Sequence, residues 1–116
     1  MIQGVHHMAI IVSNEDSIAF YERFGFEVFK RVVRKQDTVV LLYGHGIQLE
    51  IFVDVSHPVR SFPEPLGLRH LAIRVDDIEK TIQELNLKTG SIMKDWVGTR
   101  FCFTADPDGN SVELHE

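Results

Sequence analysis

Two segments of this chain each occur twice, and the two copies of each segment lie the same number of residues apart. The segment 7–12, HMAIIV, recurs as 70–75, HLAIRV, and the segment 48–51, QLEI, recurs as 111–114, SVEL. His7 aligns with His70, and Glu50 aligns with Glu113, so that the members of each pair are 63 residues apart. One spacing shared by two separate segments indicates two copies of one structural module.

Each copy is predicted to fold in the order strand, helix, strand, strand, strand. Runs rich in β-branched and aromatic residues predict strands at 5–12, 26–33, 38–43 and 47–53, and again at 69–75, 90–94, 99–105 and 111–115. A helix capped by Ser13 or Asn14 and ended by Gly25 follows the first strand, and a helix capped by Asp76 or Asp77 follows the fifth. The predicted fold class is therefore α+β, with two tandem βαβββ modules.

Residues 54–67 separate the two modules. They contain Pro58, Pro63 and Pro65 and show no hydrophobic periodicity, and each proline removes a backbone donor. We therefore expect one domain over residues 1–116, with module one at about 1–55, a linker at about 56–67 and module two at about 68–116.

Composition argues against two broad classes of function. The 116 residues carry a formal net charge of −5, which gives no electrostatic reason to expect nucleic acid as a partner. No apolar run reaches the length of about 20 residues that a membrane span needs. The single cysteine, Cys102, excludes an internal disulfide and alternates with Phe101 and Phe103. We therefore expect a small core residue rather than a nucleophile, in a protein of the reducing cytoplasm.

The four repeated polar residues are candidate metal ligands. Side chains alternate along a strand, so His7 and His70 are expected on the face opposite the apolar side chains that pack under the helices. Glu50 and Glu113 stand among apolar residues, where an unpaired carboxylate is costly. Any one of these residues alone is more often a hydrogen-bonded structural residue, but their joint repetition favours a metal site. Two imidazoles and two carboxylates suit one divalent ion per site: Zn²⁺, Ni²⁺, Co²⁺ or Mn²⁺.

The chain resembles the vicinal oxygen chelate superfamily, which includes glyoxalase I, extradiol dioxygenases, methylmalonyl-CoA epimerase and the fosfomycin and bleomycin resistance proteins. The resemblance spans nearly the whole chain. It is most evident in four segments: HMAIIV at 7–12, FYERFGFE at 20–27, HLAIRV at 70–75 and DPDGNSVE at 106–113. It implies paired modules that each curl a mixed sheet around a metal cleft. The cleft is assembled either within one chain or from two chains of a homodimer.

The set of four candidate ligands narrows the choice among the members of this superfamily. His7, Glu50, His70 and Glu113 together resemble the metal ligands of glyoxalase I, and the small glyoxalase-like proteins of bacteria are the better match in length. The resemblance implies a lyase or isomerase whose metal polarises the oxygens of a hemithioacetal or a related α-hydroxycarbonyl compound. Glu113 or Glu50 would be the catalytic group that carries a proton between adjacent carbons.

Other possibilities stay open within this superfamily. Bacterial glyoxalase I has an arginine for glutathione where this chain has Ile11, so glutathione is not the only thiol to consider. Arg74, the repeat partner of Ile11, is the candidate contact for an anionic substrate. His6 is an alternative to His7 as a ligand, although the repeat aligns it with Arg69. The remaining alternatives are epimerase or dioxygenase chemistry and a non-catalytic, drug-binding resistance protein.

Three further residues are candidates for supporting roles near the cleft. His115 shares a strand face with Glu113, from which it could orient a ligand. Trp96 and Phe62 lie in predicted loops, where they either wall the cleft or cover an edge of the core.

Overall fold

Both halves of the chain fold in the predicted order of elements. The computed structural model describes residues 1–116, which divide into two units, Met1–Pro58 and Val59–Glu116. The division falls inside the segment predicted as a linker. That the two modules form one domain stays a prediction.

Unit 1 contains a four-stranded mixed sheet and one helix. Its elements are β1 (His7–Val12), α1 (Asp16–Arg23), β2 (Glu27–Val33), β3 (Thr38–Gly44) and β4 (Ile47–Val53). The strand order is β1-β4-β3-β2, in which β1 runs parallel to β4 and the other pairs are antiparallel. The buried residues include Tyr21 on the helix and Leu49 and Ile51 on β4, so the helix and one face of the sheet form the core of this unit.

Unit 2 repeats this arrangement. Its elements are β5 (Leu71–Arg74), α2 (Ile78–Leu85), β6 (Met93–Lys94), β7 (Arg100–Ala105) and β8 (Ser111–His115). The strand order is β5-β8-β7-β6, and β5 runs parallel to β8. Ile78 of the helix is buried, together with Val112 and Leu114 of β8. The α+β class with two tandem βαβββ modules is therefore confirmed.

The internal repeat extends to the register of the strands. In unit 1, Ala9 of β1 lies opposite Glu50 of β4. In unit 2, Ala72 of β5 lies opposite Glu113 of β8. Corresponding residues of the two copies therefore occupy the same cross-strand positions in the two parallel strand pairs.

The two helices begin differently. Asp77 caps α2 as predicted, because its Oδ1 accepts a hydrogen bond from the backbone N–H of Lys80 at 2.9 Å. Glu15 directly precedes α1, has helical dihedral angles and makes no side-chain capping hydrogen bond. The side-chain cap of α1 comes from Asn14, one of the two predicted residues, because its Oδ1 accepts a hydrogen bond from the N–H of Asp16 at 2.8 Å.

Cys102 lies in the core of unit 2. It is buried on β7, and burial raises the pKa of its thiol, with a hydrogen bond to Thr89 acting in the opposite direction. A thiol that resists ionisation is a poor nucleophile. The expectation of a small core residue is therefore confirmed. Neither helix has the length and apolar character required to cross a membrane.

Three carboxylates that pair with arginines predict how the free energy of unfolding depends on pH. A hydrogen bond from an arginine holds the pKa of Asp37, Glu64 and Glu79 below its ordinary value. Unfolding restores the ordinary values, so the unfolded chain binds protons first as the pH falls. We expect the free energy of unfolding, measured with urea, to be level above about pH 5 and to decline as the pH falls through about 4 and below.

A pair of variants isolates this contribution. Arg100→Gln removes the partner of Glu79 and should make the acid decline shallower. Lys94→Gln removes a cation that forms no ion pair and should leave the slope unchanged. A free energy of unfolding that stays constant down to pH 3 would contradict the prediction.

Candidate metal centre and adjoining cavity

His7 and Glu50 form a close pair on the sheet of unit 1. His7 precedes Ala9 by two residues on β1, and Ala9 lies opposite Glu50, so His7 and Glu50 are diagonal neighbours on one face. Their side chains approach to 3.0 Å between His7 Nδ1 and Glu50 Oε2. Gln48 donates a longer hydrogen bond to the same carboxylate at 3.4 Å. The burial along β1 alternates as predicted, with Met8 and Ile10 more buried than His7 and Ala9.

His70 and Glu113 form the corresponding pair in unit 2. His70 immediately precedes β5 rather than lying within it, and its Nε2 is 3.6 Å from Glu113 Oε1. The His70 ring packs edge-on against Phe103, with 5.1 Å between the ring centroids. Glu113 is the better shielded of the two partners, with 16% of its side chain exposed against 26% for His70. Each unit therefore presents one imidazole beside one carboxylate.

The donor atoms of both pairs fit a divalent metal. Imidazole nitrogen and carboxylate oxygen ligands lie about 2.0–2.2 Å from such an ion, so two neighbouring ligand atoms are about 3 Å apart. The separations of 3.0 Å in unit 1 and 3.6 Å in unit 2 are close to this spacing. That His7, Glu50, His70 and Glu113 hold one ion together stays a prediction.

His6 is closer to the unit 1 pair than the sequence suggested. Its Nδ1 lies 2.9 Å from His7 Nδ1, and ligand atoms of His6, His7 and Glu50 all lie within 4.8 Å of one another. Strand alternation would have placed His6 and His7 on opposite faces. The strand begins at His7, however, so alternation does not govern the residue before it.

A cavity of about 640 Å³ opens on the face of unit 2 that carries His70 and Glu113. This volume is typical of sites for small ligands. Besides this pair, the lining includes His115 and Trp96. Of the two loop residues predicted either to wall the cleft or to cover an edge of the core, Trp96 lines the cavity and Phe62 does not. His115 Nε2 lies 3.1 Å from Asp95 Oδ2. The contact with Asp95 could not be foreseen, because the two residues are on different elements.

Arg74 lies on the same sheet as the unit 2 pair but outside the cavity. It is the last residue of β5, faces His115 across the strand pair, and is exposed. The lining of the cavity does not include it. Its role as a contact for an anionic substrate therefore stays a prediction.

Comparison with known proteins places this geometry in a family. The model of the Glyoxalase/Bleomycin resistance protein/Dioxygenase superfamily matches residues 4–114. The uncharacterized protein YwkD of Bacillus subtilis is 36% identical, over 100% of this chain and 98% of its own. The crystal structure of a glyoxalase family protein from Enterococcus faecalis has a TM-score of 0.89 and 38% identity, covering 98% of both chains.

Two more distant relatives have assigned names. A lactoylglutathione lyase of Arabidopsis thaliana is 28% identical, over 93% of this chain and 42% of its own length. The fosfomycin resistance protein FosX from Listeria monocytogenes, in a crystal structure with Mn(II), shares the fold with a TM-score of 0.73 and 22% identity, over 99% of this chain and 93% of that one. The family match covers nearly all of the repeat and both His–Glu pairs. The chain therefore belongs to the glyoxalase/bleomycin resistance protein/dioxygenase superfamily.

Proposed function

We propose that the protein is a metal-dependent lyase or isomerase of the glyoxalase I type, acting on a hemithioacetal or a related α-hydroxycarbonyl compound. The observation that carries this proposal is the His–Glu pair, which occurs at the same strand register in both units. The distant similarity to a lactoylglutathione lyase supports the same reaction class.

In this proposal His7, Glu50, His70 and Glu113 supply the ligands of one divalent ion: Zn²⁺, Ni²⁺, Co²⁺ or Mn²⁺. The ligands come from one chain or from the two chains of a homodimer. A bound divalent cation supplies a Lewis acid that polarises the vicinal oxygens of the substrate. The imidazoles of His7 and His70 are neutral donors, and the two carboxylates balance the charge of the ion.

Glu113 is our first candidate for the catalytic base, with Glu50 as the alternative. Glu113 lines the cavity, and only 16% of its side chain is exposed. In the proposed step a carboxylate oxygen takes the proton from the carbon that bears the hydroxyl group and returns it to the neighbouring carbonyl carbon. The hydroxyl proton moves to the other oxygen, so a hemithioacetal becomes a hydroxy thioester without net oxidation.

The proposed location is the cytoplasm. The only cysteine of the chain is buried and forms no disulfide, as suits a reducing compartment.

Metal content and turnover test this function together. Elemental analysis with native mass spectrometry should find about one Ni, Zn, Co or Mn ion per site. Metal-loaded protein should then convert hemithioacetals of methylglyoxal to thioesters, which ultraviolet absorbance follows, with the thiol varied to find the preferred adduct. Folded protein that takes up none of these metals would refute the enzyme and favour a non-catalytic binding protein.

A further inference from the structure

The turn between β6 and β7 holds Trp96 at the edge of the unit 2 cavity. Asp95 organises this turn, because its Oδ1 accepts hydrogen bonds from the N–H groups of Val97 at 3.0 Å and Thr99 at 2.8 Å. Its Oδ2 contacts His115 on β8, which ties the turn to the sheet. A turn fixed in this way loses little conformational entropy when a ligand binds.

Trp96 is unusually exposed for its residue type. Its side chain lines the cavity, yet the residue is 97% exposed. Tryptophan carries a large apolar surface and is strongly buried on average in folded proteins. Met93 and Phe101, cross-strand partners on β6 and β7, add further apolar surface to the same lining. The cavity therefore offers a wall suited to a flat apolar group.

The one guanidinium of the cavity lining already has a carboxylate partner. It belongs to Arg69, which is bound through Nε to Glu64 Oε2 at 2.6 Å. Three carboxylates, those of Glu64, Asp95 and Glu113, share the lining with this one guanidinium. With the α-hydroxycarbonyl head on the metal ion, a carboxylate on the far side of the ring would thus meet more negative than positive charge from these side chains.

We propose that this cavity takes an uncharged aromatic group of the substrate, which stacks against Trp96. As a statement about the substrate, the inference rests on the proposed function. It narrows the substrate class to aromatic α-hydroxycarbonyl compounds, or thiol adducts of aromatic 2-oxoaldehydes, that carry no charge on the ring. A negative charge elsewhere on the substrate would have to stay outside the cavity, where Arg74 lies.

Three probes with the same α-hydroxyketone head test this proposal on the full-length, metal-loaded protein. They are 2-hydroxyacetophenone, hydroxyacetone, which lacks the ring, and 4-(2-hydroxyacetyl)benzoate, which adds a carboxylate to it. Coordination of this head to the metal is shared by all three. By calorimetry we expect 2-hydroxyacetophenone to bind about tenfold more tightly than either of the others. Trp96 is the only tryptophan, so its single indole N–H resonance should shift on binding.

Matched variants test separately the contact of the ring with Trp96 and the effect of charge in the cavity. Trp96→Ala should remove the preference for 2-hydroxyacetophenone over hydroxyacetone, whereas Phe29→Ala, at an exposed phenylalanine of β2, should retain it. Glu64→Gln frees Arg69 from its partner and should improve binding of the carboxylated probe severalfold. Equal affinities for the three probes, or an indole resonance that does not move, would overturn the proposal.

Failure of this inference and failure of the enzyme assignment give different results. Binding that follows this pattern in a protein without turnover would refute the lyase and retain the aromatic site. Turnover of hemithioacetals without any preference among the probes would refute the aromatic site alone.

Discussion

Replacing Glu113 by glutamine is expected to lower turnover of the hemithioacetal by about a thousandfold, a typical contribution of a positioned general base. Glutamine keeps the volume and one oxygen donor of glutamate, but its amide cannot accept a proton from carbon at neutral pH. The variant should therefore still bind metal, although more weakly. Metal content from native mass spectrometry and kcat per bound metal ion measure the two effects separately.

Two further variants show whether the loss of turnover is specific to Glu113. Glu50→Gln should weaken metal binding to a similar extent but reduce kcat per bound ion far less, if Glu113 is the base. Glu84→Gln changes an exposed glutamate of α2, whose Oε1 is 3.9 Å from the ammonium of Lys80, and should alter neither quantity. A Glu113→Gln protein that turns over at the wild-type rate once saturated with metal would exclude Glu113 as the base.

The sequence predicts the architecture well because local and repeated signals agree. Alternation of apolar and polar residues defines the strands, and the common spacing of 63 residues predicts that both copies share one order of elements. The pairs Ala9–Glu50 and Ala72–Glu113 extend this agreement to the register. Register follows the hydrophobic pattern because a slip by one residue would turn every buried side chain outwards.

The details of the site that the sequence left open depend on backbone that no periodic pattern controls. His6 approaches Glu50 because it lies just before the strand, where its direction is not fixed by alternation. Trp96 borders the cavity because the β6–β7 turn closes through Asp95, with Gly98 at a φ of +82°. The sequence DWVGT at 95–99 contains the aspartate and glycine of such a turn. It does not reveal that Asp95 also binds His115 on another strand.

Replacing one histidine in each unit tests whether the two His–Glu pairs bind one ion or two. If one ion is shared, His7→Ala and His70→Ala each remove a ligand of the same ion, and each should lower metal affinity by about a hundredfold. The double variant should then show energetic coupling, because the second removal acts on a site that is already lost. If each pair bound its own ion, a single variant would halve the metal content, and the two losses would add.

Native mass spectrometry across a titration with Ni²⁺ or Zn²⁺ distinguishes these cases directly. His57→Ala is the matched control, because His57 also has a carboxylate partner, Asp54 at 3.3 Å, but belongs to neither repeated pair. It should leave both stoichiometry and affinity unchanged. A shared ion gives about one metal per site in the wild type and almost none in either single variant at the same free metal concentration. Two ions in the wild type and one in each single variant would instead assign a separate site to each unit, and the proposed four-ligand centre would be wrong.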